Sequence, residues 1–474
     1  MAKHIKKHFW NKRPSEGMKS AVAYTFASLF SKGLAFVTVP IFTRIMSTSE
    51  MGTVNLYNSW QSILTVVATL SLTYGGYMVA LKEYEHERDR YESSVLTLTT
   101  FTSIVFFAIY SVAPNCWSRI LGLDKSLLLL MLVGFLLLPA TEFWLARQRY
   151  EYKYKAATLV TIGSAIVASA LSIVAVLYMR GSGKAAEGRL FANYAVLYAV
   201  ALVLWVYIMV RGRKFISMRY WKFSLALSVP LIANQFATQI LNNSGRVMIG
   251  WFVDNSAVGI YGTLSSVSTV SAIVWSAINS SFIPFLYRNI DDSEGKIRVR
   301  SLAAAVCVLM TFLAPEVVKI IATDEYMAAI YIMPPISAAI FQNAISNMYA
   351  NVLLYHKKTS YIMIASICGA VLNIVLNAVL IPLFGYQAAA YSMLIAFVFL
   401  SYVQMRVSKK LHFTITGTKE TVYDDKAIIG IQWLVIVLSA IAIPLYHFTI
   451  IRYIAAFVLM IASLFLYKKS KRSV

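Results

Sequence analysis

The chain has 474 residues, of which 59% are hydrophobic and 14% are charged, and its formal net charge is +22. Globular domains carry about a quarter charged residues, so this composition excludes an assembly of soluble domains. A strongly positive chain could bind nucleic acid, but its basic residues are distributed as in a membrane protein.

Fourteen apolar stretches follow one another along the chain, and each is long enough to cross a bilayer, which takes roughly 20 residues per helix. The polar gaps between them leave no room for a soluble catalytic domain. We therefore predict an all-α integral membrane protein with spans at 18–46, 54–80, 95–114, 126–146, 157–179, 190–210, 223–251, 259–287, 299–321, 329–355, 361–384, 388–405, 428–446 and 450–467.

Most basic residues fall on one side of these spans. With the N-terminus in the cytoplasm, and span ends counted with the adjacent segment, 33 of the 43 Lys and Arg lie in cytoplasmic segments and seven lie outside. In membrane proteins with short loops, an excess of Lys and Arg marks the cytoplasmic side. We expect both termini in the cytoplasm, with a basic arm over 1–17 and a basic tail over 468–474. We expect these basic segments to contact anionic membrane lipid and not nucleic acid.

Two turns suggest an internal repeat. STSEMGTVNLY contains Gly52 and VDNSAVGIYG contains Gly259, and each turn follows an odd-numbered span on the outside. The offset of 207 residues fits two six-helix halves related by an axis along the membrane normal. We expect an N-terminal lobe over 18–210, a C-terminal lobe over 223–405 and two extra helices over 428–467.

Two basic residues lie within the first span. Lys32 is about 12 residues, or roughly 18 Å, into the helix, which places it near the bilayer midplane. A charge at this depth usually faces a cavity, although snorkelling or a buried ion pair is the alternative. Arg44 lies near the outer end, where its side chain reaches the interface more easily.

Polar residues follow helical spacing on the seventh and tenth spans. Stripes of this kind can hold helices together by hydrogen bonds, or they can form the wall of a wet cavity, which we favour. The stripes consist of Asn234, Thr238, Asn242 and Arg246 at every fourth position, Gln235, Gln239 and Asn243 beside them, and Asn343, Asn347 and Asn351 on the tenth span.

The chemistry of the predicted cavity favours a phosphorylated sugar. Amide and hydroxyl groups replace the water that sugar hydroxyls lose, and Lys32 and Arg246 suit phosphate. Glu142 is the one acid clearly within a span, so it is the candidate for coupling to a counter-ion. No GxxxxGK[ST] sequence is present, and the histidines form no ligand cluster, so we expect no cofactor and no bound metal.

Several segments resemble the polysaccharide-transporter branch of the multidrug/oligosaccharidyl-lipid/polysaccharide exporter superfamily. The resemblance lies in SKGLAFVTVPIFTRIMSTSEMG at 31–52, NNSGRVMIGWFVDNSAVGIY at 242–261, APEVVKIIATDEYMAAIYIMPPI at 314–336 and KKTSYIMIASICGAVLNIVLNAVLIPLFGYQAAAYSMLIAF at 357–397. Lys32, Arg44 and Arg246 match basic positions that often line the cavity of O-antigen and capsule repeat-unit flippases. Where these flippases often carry an acid before the seventh-span basic residue, this chain has Ser244-Gly245, which weakens a proton-coupling role there.

The resemblance implies a flippase, not an enzyme, in the bacterial cytoplasmic membrane. Its substrate would be a polyprenyl-diphosphate-linked oligosaccharide moved from the inner to the outer leaflet for surface polysaccharide such as O-antigen of lipopolysaccharide or capsule. A glycan polymerase and a chain-length regulator would be further partners. One alternative is a drug or cation antiporter of the same superfamily, which should carry more embedded carboxylates. Another is a membrane-embedded glycan polymerase or ligase, which usually needs a larger outside loop.

Overall fold

The computed structural model describes residues 16–74, 76–268, 270–288, 304–417 and 422–472, and within these ranges all regular structure is helical. The predicted basic arm lies almost entirely outside the described residues. The helices are α1 Glu16–Ile45, α2 Thr48–Ala68, α3 Gly76–Glu83, α4 Arg88–Val112, α5 Pro114–Leu121, α6 Lys125–Tyr150, α7 Tyr154–Tyr178, α8 Ala185–Gly212, α9 Met218–Phe252, α10 Asn255–Ser268, α11 Val270–Arg288, α12 Ala304–Phe312, α13 Ala314–Ile321, α14 Asp324–Met327, α15 Met333–Tyr355, α16 Thr359–Phe384, α17 Ala388–Thr416, α18 Asp425–Leu445 and α19 Thr449–Arg472.

The all-α architecture is confirmed, but several predicted spans are interrupted. In the described part of the chain, eight helices are long and apolar enough to cross a membrane, or ten if two bent helix pairs each count as one span. The span predicted at 54–80 ends its first helix at Ala68, because Leu70 and Ser71 adopt positive φ angles of 54° and 45°. Left-handed backbone at two successive residues cannot continue an α-helix. The count of fourteen stays a prediction.

Two bends divide helices in the second half of the sequence. α9 bends by 47° between Val229 and Leu231, where the sequence has a proline that cannot donate the helical hydrogen bond. α12 and α13 meet at 66°, so the predicted span 299–321 is two helices within its described part, and residues 299–303 lie outside the described residues. We name the end of the bundle where α1 begins the inner end, and the opposite end the outer end.

Apolar packing joins the two halves of the sequence mainly toward the outer end. The largest buried cluster includes Phe42 of α1, Met51 of α2, Val247 of α9 and Val258 of α10, which belong to both halves. A second cluster, around Tyr77 and Phe143, lies at the inner end and combines residues of the first half with Tyr220 of α9. A third cluster packs α9 against α15, α16 and α17 in the second half. The halves therefore share their largest core near the outer end, and the start of α9 also joins the first half at the inner end.

The outer ends of α2 and α10 approach each other through their backbones. A Cβ placed on Gly52 would lie 1.7 Å from the carbonyl oxygen of Asn255, and a Cβ on Gly259 would lie 1.9 Å from that of Thr48. Thr48 and Asn255 are 207 residues apart, as are Gly52 and Gly259, so the two contacts are reciprocal. A twofold axis between α2 and α10 would produce this arrangement. The symmetry of the complete lobes stays a prediction, which this contact supports.

The same offset relates the caps of the two helices. The Ser47 side chain accepts a hydrogen bond from the backbone N–H of Glu50 at 3.2 Å, and Asp254 accepts one from Ala257 at 2.7 Å. Such caps satisfy N–H groups that an α-helix leaves unpaired at its first turn. Each cap therefore fixes where its helix begins, and so places the glycine at the crossing point.

We expect Gly52→Ala to lower the thermal unfolding midpoint of the purified protein, because its methyl group has no space beside the Asn255 carbonyl oxygen. Overpacking of this kind typically costs about 1–3 kcal/mol. Gly163→Ala on α7 is the control, because a Cβ there meets no atom within 4 Å. That change should leave stability unchanged or raise it. Equal midpoints for Gly52→Ala and the wild type would contradict the reciprocal packing.

Candidate functional site: a cavity between the two halves

Lys32 faces a cavity at the centre of the bundle. It lies 13 residues before the end of α1, about 20 Å along the helix, and its side chain is exposed. The cavity has a volume of about 480 Å³ and is bounded by α1, α2, α8, α10 and α11. Its polar lining consists of Lys32, Asn55, Asn58, Arg189, Thr263 and Ser266.

Arg189 is a second cation in this cavity, and the sequence prediction misses it. That prediction begins the sixth span at 190, whereas α8 begins at Ala185, so Arg189 lies inside the helix. Its guanidinium carbon lies 3.7 Å from the ring centroid of Phe42, and its Nη1 lies 3.2 Å from the sulfur of Met51. Acidic Glu187 in the first turn is the sequence signal for the earlier helix start.

The cavity cations are not neutralised by nearby acids. Among the described residues, no carboxylate oxygen lies within 4.0 Å of the charged nitrogens of Lys32 or Arg189. The apolar ring of Phe42 stabilises a guanidinium by cation–π attraction but carries no charge. Two positive charges therefore line the same cavity without a fixed counter-charge.

Arg246 contacts the wall of this cavity from α9. Its Nη2 donates to the hydroxyl oxygens of Ser265 at 2.7 Å and Ser266 at 3.3 Å, and Ser266 also lines the cavity. The Nε of Arg246 is buried and has no hydrogen-bond partner. An unpaired buried donor is costly, so this guanidinium retains capacity for an additional acceptor.

A second cavity, of about 630 Å³, lies next to the first and shares Asn58 with it. Gln235, Gln239 and Glu142, all predicted site residues, line it. Thr73 donates to the carboxylate of Glu142 at 3.0 Å. The other polar lining residues are Gln61, Ser62, Thr65, Thr69, Ser71 and Tyr194. This second cavity is therefore walled by amide and hydroxyl groups and contains one acid.

The remaining predicted residues lie elsewhere. The Thr238 hydroxyl donates to the Asn234 carbonyl, and the Asn242 side chain donates to the Thr238 carbonyl, both at 2.9 Å along α9. Asn343 and Asn347 are half-buried on α15. None of these five is among the residues that line the two cavities. Their role in binding stays a prediction.

Arg44 connects the two halves at the outer end instead of facing the cavities. Its Nη2 donates to the carbonyl of Ile320 at 3.0 Å, and the neighbouring Thr43 hydroxyl donates to that of Ile321 at 2.8 Å. Both carbonyls belong to the last turn of α13, whose C-terminal carbonyls have no partner within the helix. The end of α1 is thereby fastened to the second half.

A corresponding hydrogen bond is donated by the second half to the first half. Trp251, near the end of α9, donates through its indole N–H to the carbonyl of Ile120 at 2.7 Å, in the last turn of α5. Arg44 and Trp251 are 207 residues apart, the same offset that relates Gly52 and Gly259. Each half therefore donates to a short outer helix of the other. Together with the α2–α10 contact, these bonds join the two halves at the outer end.

The comparisons with known proteins agree with this architecture. Residues 18–290, more than half of the chain, match the family model described as "Polysaccharide biosynthesis protein". The chain belongs to this polysaccharide biosynthesis protein family. The resemblance stated from the sequence motifs is thereby confirmed. No curated protein matches the sequence.

Solved structures show the fold. The lipid II flippase MurJ in an inward closed conformation is 12% identical, with 95% of this chain and 99% of that chain covered and a TM-score of 0.69. An inward-facing multidrug resistance MATE family transporter of the MOP superfamily is 13% identical, with 85% and 100% covered and a TM-score of 0.57. A MOP superfamily transporter from Pyrococcus furiosus is also 13% identical, with 86% and 98% covered and a TM-score of 0.54. The chain therefore has the fold of these transporters.

We expect Asn58→Cys to react with a small, membrane-impermeant thiol reagent only from the inner side, because Asn58 lines both cavities and the two halves are in contact at the outer end. The background would lack Cys116, Cys307 and Cys368. Ser59→Cys, one position along α2 and fully buried, should stay unlabelled. Intact cells and inverted vesicles supply the two sides. Labelling of Asn58→Cys from outside alone would reverse the predicted orientation.

Proposed function

We propose that this protein is a flippase that moves a polyprenyl-diphosphate-linked oligosaccharide from the inner to the outer leaflet of the cytoplasmic membrane. Membership of the polysaccharide biosynthesis family supports a glycan-related substrate. The observation that carries the proposal is the pair of unneutralised cations, Lys32 and Arg189, in one central cavity. Arg246 at the cavity wall is the third basic residue of the proposed site.

A diphosphate is the anion that best fits these residues. An unpaired charge in a protein interior is unfavourable, and a phosphate oxygen provides both opposite charge and hydrogen-bond acceptors. The Arg246 Nε without a partner offers a further donor. The diphosphate would therefore supply the negative charge and the further hydrogen-bond acceptors that these basic residues lack in the described part of the chain.

The second cavity is the proposed place for the glycan. A sugar loses hydrogen bonds to water on entering a protein and needs replacements. The amides of Gln61, Gln235 and Gln239 each supply a donor and an acceptor, and the hydroxyls around them supply more. Because Asn58 belongs to both cavities, a head group can extend from the cationic cavity into the amide-lined one without leaving the protein.

Transport requires the outer end to open while the lipid tail stays in the bilayer. The hydrogen bonds from Thr43, Arg44 and Trp251 to the opposite half would break in that step. At about 0.5–1.5 kcal/mol net for each, these three bonds contribute roughly 1.5–4.5 kcal/mol to the closed state. A ligand that binds one state about 10⁴-fold more tightly shifts the equilibrium by about 5.5 kcal/mol. Substrate binding can therefore supply the free energy for opening.

A drug or cation antiporter of the same superfamily is the second candidate, and Glu142 is the observation that favours it. Its carboxylate lines the second cavity and accepts from Thr73, so it could hold a cation there. The cationic cavity next to it opposes a cationic substrate. Loss of drug resistance with intact surface glycan, after deletion of the protein, would favour the antiporter.

We expect Lys32→Ala and Arg189→Ala each to abolish surface glycan in a complementation assay while membrane abundance stays at the wild-type level, because each removes a phosphate partner. Arg246→Ala should have the same effect. Lys32→Arg should keep part of the activity, since the charge remains and only the shape changes. Arg44→Ala should be milder, because Arg44 contacts the outer closure and not the cavities.

Arg180→Ala is the control for these changes, because Arg180 is an exposed residue in the loop between α7 and α8. It should support wild-type glycan levels. If the Lys32, Arg189 and Arg246 alanine variants are all present in the membrane and all support normal glycan, the cationic site is refuted.

The membrane potential should drive this transport. A diphosphate with about two negative charges that moves outward releases on the order of 4–5 kcal/mol at 100 mV. In proteoliposomes loaded with lipid-linked substrate, we expect a valinomycin-set potassium potential to drive flipping without a pH or sodium gradient. Flipping that ignores the potential but follows a pH gradient would contradict this, and Glu142→Gln would then test proton coupling.

A further inference from the structure

A third cavity, separate from the proposed substrate site, lies at the inner end of the first half. Its volume is about 1100 Å³, and it is formed by the turn between α3 and α4 and by the connection from α8 to α9. It shares no lining residue with the two central cavities. We call it the basic concavity, and its charged lining is Glu85, Glu87, Arg88, Asp89, Arg90, Arg147, Arg211, Arg213, Lys214 and Arg219.

The floor of the basic concavity is an ion-pair network. Arg147 is buried and lies 2.5 Å from the carboxylate of Asp89, 2.7 Å from that of Glu92 and 3.0 Å from that of Glu151. Arg211 pairs with the second oxygen of Asp89 at 2.8 Å. These charges largely neutralise one another and hold α4, α6 and α8 together. The floor therefore supplies structure and little net charge.

We call the exposed basic residues Arg90, Arg213, Lys214 and Arg219 the rim of the basic concavity. Unlike the cations of the floor, they have no carboxylate partner among the described residues. In the part of the chain that the structure describes, none of Arg90, Arg213, Lys214 and Arg219 has a carboxylate oxygen within 4.0 Å. All four side chains are exposed. With seven basic and three acidic lining residues, the basic concavity has a net charge of +4. Four unopposed cations around one depression attract an anion with more than one charge.

The rim is held in place by hydrogen bonds to α4. The Ser93 hydroxyl donates to the carbonyl of Lys214 at 3.0 Å and lies 3.3 Å from its backbone nitrogen. Gly212 fits so closely against Ser93 and the Asp89 carbonyl that a Cβ would lie 2.2 Å from each. A fixed segment loses little conformational entropy when a ligand binds. The cations of the connection are therefore presented by a pre-organised backbone.

Apolar side chains stand beside these cations. Phe215 and Ile216 follow Lys214 directly and Met218 comes two residues later, and their side chains are 56%, 61% and 59% exposed. Exposed apolar residues interleaved with basic ones are typical of segments that lie in the membrane interface, where they contact acyl chains. Nucleic acid or a soluble anion would leave these apolar groups in water.

We propose that the basic concavity binds the phosphate head group of an anionic phospholipid from the cytoplasmic leaflet, with the acyl chains against Phe215, Ile216 and Met218. Basic pockets between membrane helices on the cytoplasmic side bind acidic lipid head groups by the same chemistry. Such a lipid would join the α3–α4 turn, the end of α8 and the start of α9. The site does not depend on the flippase activity, because it lies apart from the central cavities.

The test compares lipid retention by two purified triple variants in native mass spectrometry. The first, Arg90→Gln with Lys214→Gln and Arg219→Gln, removes three rim charges and keeps polar side chains. Arg213 is left unchanged because its φ is 49°. A substitution there would change the backbone strain together with the charge. The control, Lys155→Gln with Lys358→Gln and Lys410→Gln, removes the same charge from exposed lysines on the same side.

We expect the wild type and the control to retain phosphatidylglycerol equally, and the rim variant to bind it at least tenfold more weakly. Phosphatidylcholine should bind weakly to all three proteins, because its choline cancels the phosphate charge. Equal retention by the rim variant, or an equal loss in the control, would overturn the site.

Two further probes distinguish the source of the phosphate. Glycerol 3-phosphate should compete poorly, because it lacks acyl chains, and competition as strong as that of the lipid would overturn the membrane assignment. A polyprenyl diphosphate that displaces phosphatidylglycerol at equimolar concentration would overturn the choice of phospholipid and assign the basic concavity to the carrier lipid.

Discussion

The close backbone approach of α2 and α10 is the contact on which the outer half of the molecule depends. Gly52 and Gly259 permit it, since any larger residue would meet a carbonyl oxygen of the facing helix. With these helices in contact, the ends of α1 and α9 reach the short outer helices of the opposite halves. The contacts that join the two halves at the outer end therefore depend on two residues that have no side chain.

The charges inside the molecule are arranged in two distinct ways. At the inner end, Arg147 is surrounded by carboxylates, an arrangement that holds helices together. In the central cavity, Lys32 and Arg189 have no such partners. A buried ion pair contributes little net stability, but a charge within a membrane span that has no counter-charge is a cost that selection tolerates only for a purpose. The contrast is the main physical support for an anionic substrate.

Part of the candidate site could be predicted because depth along a helix follows from residue count. Lys32 lies in the cavity where counting from the span boundary placed it, and Gln235 and Gln239 line the adjoining cavity from the predicted stripe. Arg189 could not be predicted the same way, since hydropathy places a span boundary only within a few residues. Arg44 lies in a predicted span, yet its side chain turns outward to Ile320, a partner 276 residues away.

The sequence by itself determined that the chain is an all-helical membrane protein, because in lipid the backbone polar groups of a long apolar stretch must pair within that stretch. Its motifs, and not its composition, indicated the family that the family model shows. It also determined the repeat offset of 207 residues, which the reciprocal glycine contacts obey. Only the tertiary structure decided which polar residues share a cavity, where helices break, and which cations remain unpaired. These properties depend on how helices rotate and cross, and rotation is set by packing between residues that are distant in sequence.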